Sequence, residues 1–327
     1  MAGVEENIRV VVRSRPLNDK ERKAGEDSCV ARANEGREVQ IRVNAREAQA
    51  FRCDSMLMAE TTQEDFFNKS GIINLLDSAL GGYRACVFAF GQTGAGKTHT
   101  VIGGSTFVQS RHEDSGLMGR SFDYIYDKIE TLGIAFTIKV ACMEIYQEQL
   151  FDLLVTEKDR SPLAVREHQT DGFFVEGCKL VVCPTVGEAV TALNKALKNR
   201  HVGAHQMNHR SNRSHFLTEV FIELPAKELL QINNIQDVPG FESLSDNMDA
   251  NSDREYNLMG RVTFVDLAGS ERLKETKSEG KTLQEAGNIN KSLYVLGKVI
   301  SGMSRKHGEQ NHRDVSAGFV WTWHDVM

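Results

Sequence analysis

Gly91-Gln92-Thr93-Gly94-Ala95-Gly96-Lys97-Thr98 satisfies G-x-x-x-x-G-K-[ST] at every fixed position. The run just before it, Ala85-Cys86-Val87-Phe88-Ala89-Phe90, is apolar and free of breakers, which predicts a buried strand. Lys97-Thr98-His99-Thr100 can open a helix. Strand, glycine loop and helix start together form a phosphate cradle. The glycines let backbone N–H groups converge on an anion, and the helix start adds its positive end. Lys97 is placed to reach β- and γ-phosphates, and the Thr98 hydroxyl to ligate Mg²⁺. A glycine-rich turn that is only a turn needs neither the Lys-Thr pair nor the strand.

The 327 residues fit one large α/β domain, and an apolar fraction of 40% supports a sizeable core. A net charge of −6 argues against non-specific nucleic-acid binding. Cysteines 29, 53, 86, 142, 178 and 183 show no C-x-x-C spacing and read as reduced, buried thiols of a cytosolic protein. Met1 to Asn7 has neither a basic nor an apolar leader region, and no apolar run approaches membrane-spanning length.

The remaining chain alternates strand and helix patterns. Ile8 to Arg13 is a β-branched strand closed by Pro16, and Asp65 to Leu80 has helical spacing up to Gly81-Gly82. Strands are expected over 136–146, 214–224 and 262–267, helices over 122–129, 188–202 and 289–303, and a short amphipathic continuation over 149–154. Residues 225–259 carry seven acids against Lys227 and Arg254, the pattern of a solvated surface insertion. The alternation predicts an α/β fold with a central, mostly parallel, twisted sheet and helices on both faces.

Two further stretches belong with the cradle. Asp266 ends an apolar strand, where a carboxylate behind a phosphate loop holds Mg²⁺ or its water shell, and Gly269 follows where close backbone approach to a γ-phosphate is useful. Asn208 to His215 packs polar donors ahead of a strand, as a phosphate-sensing loop does. His201, His205 and His209 recur every four residues, but without a nearby cysteine they make a poor metal face.

Taken together, GQTGAGKTHT (91–100), NHRSNRSH (208–215) and DLAGSE (266–271) resemble the phosphate loop and two switch loops of the kinesin motor domain. RSRPLN (13–18), MEIYQEQLFDLL (143–154), NRHVGAHQMN (199–208) and GNINKSLYVLGKVI (287–300) extend the resemblance over about residues 6–312. It implies a motor domain over 1–312 that binds ATP and Mg²⁺ and hydrolyses ATP under microtubule stimulation, in the cytoplasm on the cytoskeleton. Arg13, Arg15 and Pro16 would pack around the adenine with Tyr83 and His99 nearby, and Asp266 would hold Mg²⁺ through water. Ser211, Asn212 and Gly269 would close on the γ-phosphate, Arg213 and Glu271 would pair, and Asn290 would support the water network. Arg272, Lys274, Lys277, Lys281 and the helix 288–303 would face the microtubule. No nucleic-acid or membrane partner and no dimerisation segment is implied. The alternative is a truncated, non-motile fragment that binds nucleotide or microtubules with little turnover. A GTPase is disfavoured because no Asn-Lys-x-Asp tetrapeptide is present.

Several positions depart from the family pattern. Asn212 stands where most members have serine, and Gln149, Asp171 and Glu176 stand where many have cations facing the microtubule. Residues 313–327 match nothing in the family, so the final central strand and helices are expected to be missing. Strand 8–13 and the cradle strand would then lack their shared ladder partner.

Overall fold

The computed structural model describes residues 8–44, 47–105, 107–168, 172–205, 213–225, 257–271, 291–299 and 316–321. The strands are β1 (Ile8–Arg13), β2 (Val30–Ala33), β3 (Glu38–Asn44), β4 (Glu47–Arg52), β5 (Ser55–Leu57), β6 (Arg84–Phe90), β7 (Thr137–Tyr146) and β8 (Gln149–Asp152). They continue with β9 (Pro162–Leu163), β10 (Val165–His168), β11 (Gly172–Val175), β12 (Val181–Val182), β13 (His215–Pro225), β14 (Asn257–Asp266) and β15 (Ser316–Trp321). The helices are α1 (Asp19–Lys23), α2 (Gln63–Lys69), α3 (Ile72–Leu80), α4 (Lys97–Val101), α5 (Leu117–Leu132), α6 (Val186–His205) and α7 (291–299).

Ten strands form the main sheet in the order β5-β1-β15-β6-β14-β13-β7-β8-β9, with β12 beside β7. From β5 to β14 all pairs are parallel, and from β14 outward all are antiparallel. The α/β architecture is as expected, but the sheet is mixed rather than mostly parallel. One cause is local: β7 and β8 are joined by Gln147 and Glu148, both at positive φ (52° and 62°), as a two-residue type I′ hairpin requires. That turn makes 149–152 an antiparallel strand. Asp65 to Leu80 forms two helices, because Gly71 sits in the left-handed region (φ 84°) and ends the first helical run.

The core lies where α3, α5 and α6 cover the sheet. Leu76, Ala79 and Leu80 of α3, Phe122, Ile125 and Ile129 of α5, and Leu193 and Leu197 of α6 share one cluster with Val87, Ala89, Val220, Ile222, Val262 and Phe264. Each buried Val, Leu, Ile or Phe of this set contributes about 1.5–3 kcal/mol over its exposed state. Gly260 lets α3 come close to β14, since a Cβ there would stand 1.7 Å from the Ala79 carbonyl oxygen. No helix among the described residues is long and apolar enough to cross a membrane.

The expectation of a missing central strand is overturned. Ser316–Trp321 lies between β1 and β6 and runs parallel to both, with Ala317 opposite Ile8 and Cys86, and Trp321 opposite Val12 and Phe90. Ser-Ala-Gly-Phe-Val-Trp suits that slot physically. It is a short uncharged run ending in aromatic and β-branched residues, the composition of a strand flanked on both edges. This segment therefore pairs with both neighbours at once. The insertion expected over 225–259 is shorter at both ends, because Pro225 pairs with Asn257 and residues 257–259 belong to β14. Residues 226–256, the final helices of the family pattern and the stretches 313–315 and 322–327 lie outside the described residues.

Since β15 serves two ladders, removing one of its N–H groups should be costly. Val320→Pro should destabilise the chain by about 3 kcal/mol, which lowers Tm by about 4 °C for a domain of this size. A chain ending at residue 315 should lose cooperative unfolding altogether. Thermal scans by near-UV circular dichroism check both, and an unchanged transition in either variant would contradict the central placement.

Candidate nucleotide-binding site

Because β1, β15, β6 and β14 are mutually parallel, their carboxyl ends share one edge, where ligands of open α/β sheets bind. Three loops leave that edge: residues 14–18 after β1, the cradle after β6, and Leu267 to Glu271 after β14. In the cradle, Gly94 and Gly96 adopt φ of 82° and 97°, a region closed to most side chains, and α4 starts at Lys97. The Lys97 ammonium is buried and donates to the carbonyls of Gly91 and Gln92, both at 2.8 Å. Burial lowers its pKa, while Asp266 and Glu271 oppose that. A lysine held inside an electropositive loop fits a polyanionic ligand.

The Thr98 hydroxyl donates to Asp266 Oδ2 at 2.8 Å. Asp266 is 2% exposed, and its second oxygen, Oδ1, is buried without a hydrogen-bond partner among the described residues. Leaving a buried carboxylate oxygen unsatisfied is expensive, so this atom points to an additional cation or its water. The described residues contain no group of three or more His, Cys, Asp or Glu that could hold a metal by itself. One hydroxyl and one carboxylate suit Mg²⁺, which keeps several waters and takes phosphate oxygens as its other ligands.

Leu267 to Glu271 folds back onto the cradle. Ser270 N–H donates to the Gly91 carbonyl at 3.2 Å, and Glu271 accepts from Thr93 N–H at 2.9 Å and Thr93 Oγ1 at 2.7 Å. Burial, the largest single influence on Glu271, opposes ionisation. The hydrogen bonds from Thr93, together with the charge of Lys97, outweigh it and hold the carboxyl below its ordinary pKa. A Cβ at Gly269 would stand 2.2 Å from Glu271 Oε2 and 2.4 Å from Thr93 Oγ1, so a side chain there would have to displace the Glu271–Thr93 contact. Arg213 stands half-buried just before β13. Ser211, Asn212, Asn290, Arg272, Lys274, Lys277, Lys281, His209 and Asp171 lie outside the described residues.

Two of the residues expected at the base are placed differently. Tyr83 precedes β6 at the end opposite Gly91. Eight residues of extended chain put it about 25 Å from the cradle, so it is not near a base there. Arg13 is 8% exposed, and its guanidinium donates to Gln63 Oε1 (2.8 Å), Thr100 Oγ1 (3.2 Å) and the Thr61 carbonyl (3.2 Å) while lying over the Phe66 ring. These bonds tie the end of β1 to α4 and to the start of α2. Arg15 remains at the mouth, its Cβ beside Gly96 and its guanidinium on Glu21 at 2.5 and 2.7 Å. His99 is exposed on α4, the helix that follows the cradle.

Three contributors escaped the sequence reading. Gln63 links Arg13 to His99. Arg200, on the same α6 face as Leu193, Ala196 and Leu197, is 6% exposed and donates to the Ser214 carbonyl at 3.0 Å. It stands 3.6 Å from Asp266 and 4.0 Å from Glu144. An arginine on an otherwise apolar helix face was the available signal. His215 Nδ1 accepts the Ala268 N–H at 3.0 Å, so its proton sits on Nε2, 2.9 Å from Ser292 Oγ of α7. Burial, then the charges of Arg200 and Lys97, push it down to about 4.

Phosphate oxygens and a divalent cation are what ask backbone N–H groups, a buried lysine and a hydroxyl–carboxylate pair to converge in this way. The class is that of P-loop nucleotide-binding proteins. Within that class, residues 13–316 match the kinesin motor domain. The mouse kinesin-like protein KIF12 is 33% identical over 95% of this chain and 45% of its own length, and the Xenopus laevis kinesin-like protein KIF15-B is 35% identical over 94% and 21%. A solved structure of a fast kinesin superposes with a TM-score of 0.77 at 28% identity, covering 97% of this chain and 85% of that one. The chain belongs to the kinesin motor domain family, whose members are microtubule-associated ATPases. It spans less than half the length of the curated relatives it matches.

His215 carries a pH signature. The unfolded chain protonates this ring near 6.5, and the folded chain near 4. Between those values the unfolded state binds the extra proton, so stability is fully present above 6.5 and falls as the pH drops toward 4. His215→Asn keeps an acceptor for Ala268 and has no ring to titrate. Chemical denaturation should show the parent losing about 2 kcal/mol more than the variant between pH 7 and pH 5. Equal losses would contradict the buried neutral ring.

Proposed function

We propose that this chain is a microtubule-stimulated ATPase whose hydrolysis of Mg-ATP drives switch-loop movement and movement along microtubules. The observation that carries the reading is the buried, unpartnered Asp266 Oδ1 beside the Thr98 hydroxyl, at the foot of a complete phosphate loop. Gly91 to Thr98 would wrap the phosphates, with Lys97 exchanging the Gly91 and Gln92 carbonyls for β- and γ-oxygens. Mg²⁺, when bound, neutralises charge developing on the phosphoryl group. Thr98 and, through water, Asp266 would hold it. Arg15, Pro16 and His99 would flank the adenine.

Ser211, Asn212 and Gly269 would meet the γ-phosphate, with Asn290 supporting the attacking water. Arg213 would draw Glu271 away from Thr93 and pair with it once ATP is bound. Hydrolysis would then depend chiefly on positioning and electrostatics. Arg272, Lys274, Lys277 and Lys281 with the helix 288–303 would meet the acidic microtubule surface. Exposed Tyr294, Val295 and Val299, with Lys298 stacked 4.6 Å from the Tyr294 ring, give α7 the mixed apolar and cationic face such a contact uses. The pairing of Ser316–Trp321 with both neighbours supports this reading over that of a truncated, non-motile fragment.

Lys97→Ala should weaken ATP binding about a hundredfold, the scale of losing charge-assisted bonds to phosphate. Turnover by the parent should rise with microtubule concentration. Arg213→Ala and Glu271→Ala should each abolish that rise with ATP affinity nearly kept, and the double variant should be little worse. Unchanged ATP affinity in the lysine variant, or additive losses in the cycle, would refute these assignments.

A further inference from the structure

Gln63 is the first residue of α2, fixed there by the Thr62 cap, whose hydroxyl accepts the Asp65 N–H at 3.1 Å. It is 6% exposed. Its amide oxygen accepts from Arg13 Nη1 at 2.8 Å, while its amide nitrogen lies 2.7 Å from the His99 carbonyl and 3.2 Å from His99 Nδ1. A guanidinium only donates, so Arg13 decides which end of the amide faces it, and the NH₂ end must face His99. An NH₂ group also only donates, so His99 Nδ1 must carry a lone pair and the ring proton must sit on Nε2. The order of cause runs from Arg13 through Gln63 to one tautomer and one ring orientation.

We propose that Gln63 is a positioning residue of the base subsite, holding His99 as the Nε2–H tautomer so that a fixed N–H edge meets the base of a bound purine nucleotide. This rests on the nucleotide reading above. Gln63 lies 36 positions from His99 and belongs to none of the phosphate-binding motifs. Its partners are on α4 and the end of β1, so it acts on the base side of the cradle and touches neither Lys97 nor Asp266 in the contacts described.

Long-range ¹H–¹⁵N correlation on histidine-labelled chain reads the tautomer directly. The parent should show His99 protonated on Nε2. Gln63→Glu keeps an acceptor for Arg13 but cannot donate to Nδ1, so the ring proton should move to Nδ1. Calorimetry should then show ATP binding weakened about tenfold, the scale of one hydrogen bond, while inorganic tripolyphosphate binds within twofold of the parent. His99→Ala should reproduce both affinities, and it stands in if the glutamate variant does not fold. A parent ring protonated on Nδ1 overturns the proposal, as does equal weakening of ATP and tripolyphosphate. A parent that binds neither ligand overturns the nucleotide reading itself, and the proposal falls with it.

Discussion

The parallel ladder through the centre of the sheet is the constraint on which the rest depends. Parallel pairing of β1, β15, β6 and β14 sends all four carboxyl ends to one edge, and the site exists because three loops leave that edge together. Any antiparallel neighbour in that set would send its loop to the far side. β15 is the unusual member, since it carries two registers at once. Its register places Trp321 level with Phe90, one residue before the phosphate loop. Order in the tail and order in the cradle are therefore linked through backbone hydrogen bonds.

The charges at the edge are arranged so that few are fully compensated within the described chain. Lys97 is held by two carbonyl oxygens rather than by a carboxylate. Arg200 stands 3.6 Å from Asp266 and 4.0 Å from Glu144, longer than strong hydrogen bonds, and Asp266 Oδ1 has no hydrogen-bond donor. Breaking such buried pairs is strongly destabilising, so the set persists only because each member is caged. His215 then ties the Ala268 end of the site to Ser292 on α7 through a neutral ring. A rearrangement of the loop after β14 thus has a short, hydrogen-bonded route to the helix.

How much of this was legible in sequence follows from how local each cause is. The cradle, β1, β6 and β13 were readable because glycine chemistry and apolar patterning act within a few residues. Gly71 was equally local, yet the apolar spacing across it concealed the break between α2 and α3. Gln63, Arg200 and His215 were not singled out, since their partners lie 36, 66 and 77 positions away and only folding joins them. Tyr83 was misplaced because its nearness in sequence to the cradle hides the length of an extended strand. The central strand was missed for a different reason: six uncharged residues can pair in either of two registers, and backbone hydrogen bonding asks for no particular sequence.

On this proposal Thr98 gives a divalent cation one oxygen directly and Asp266 one through water, with water and nucleotide supplying the remainder. Electron paramagnetic resonance with Mn²⁺ in place of Mg²⁺ tests it most directly. Protein and Mn²⁺ alone should give no protein-immobilised signal, and adding ATP should bring one Mn²⁺ per chain into a site that Asp266→Asn weakens. Immobilised Mn²⁺ without nucleotide, or none with ATP bound, would contradict the account.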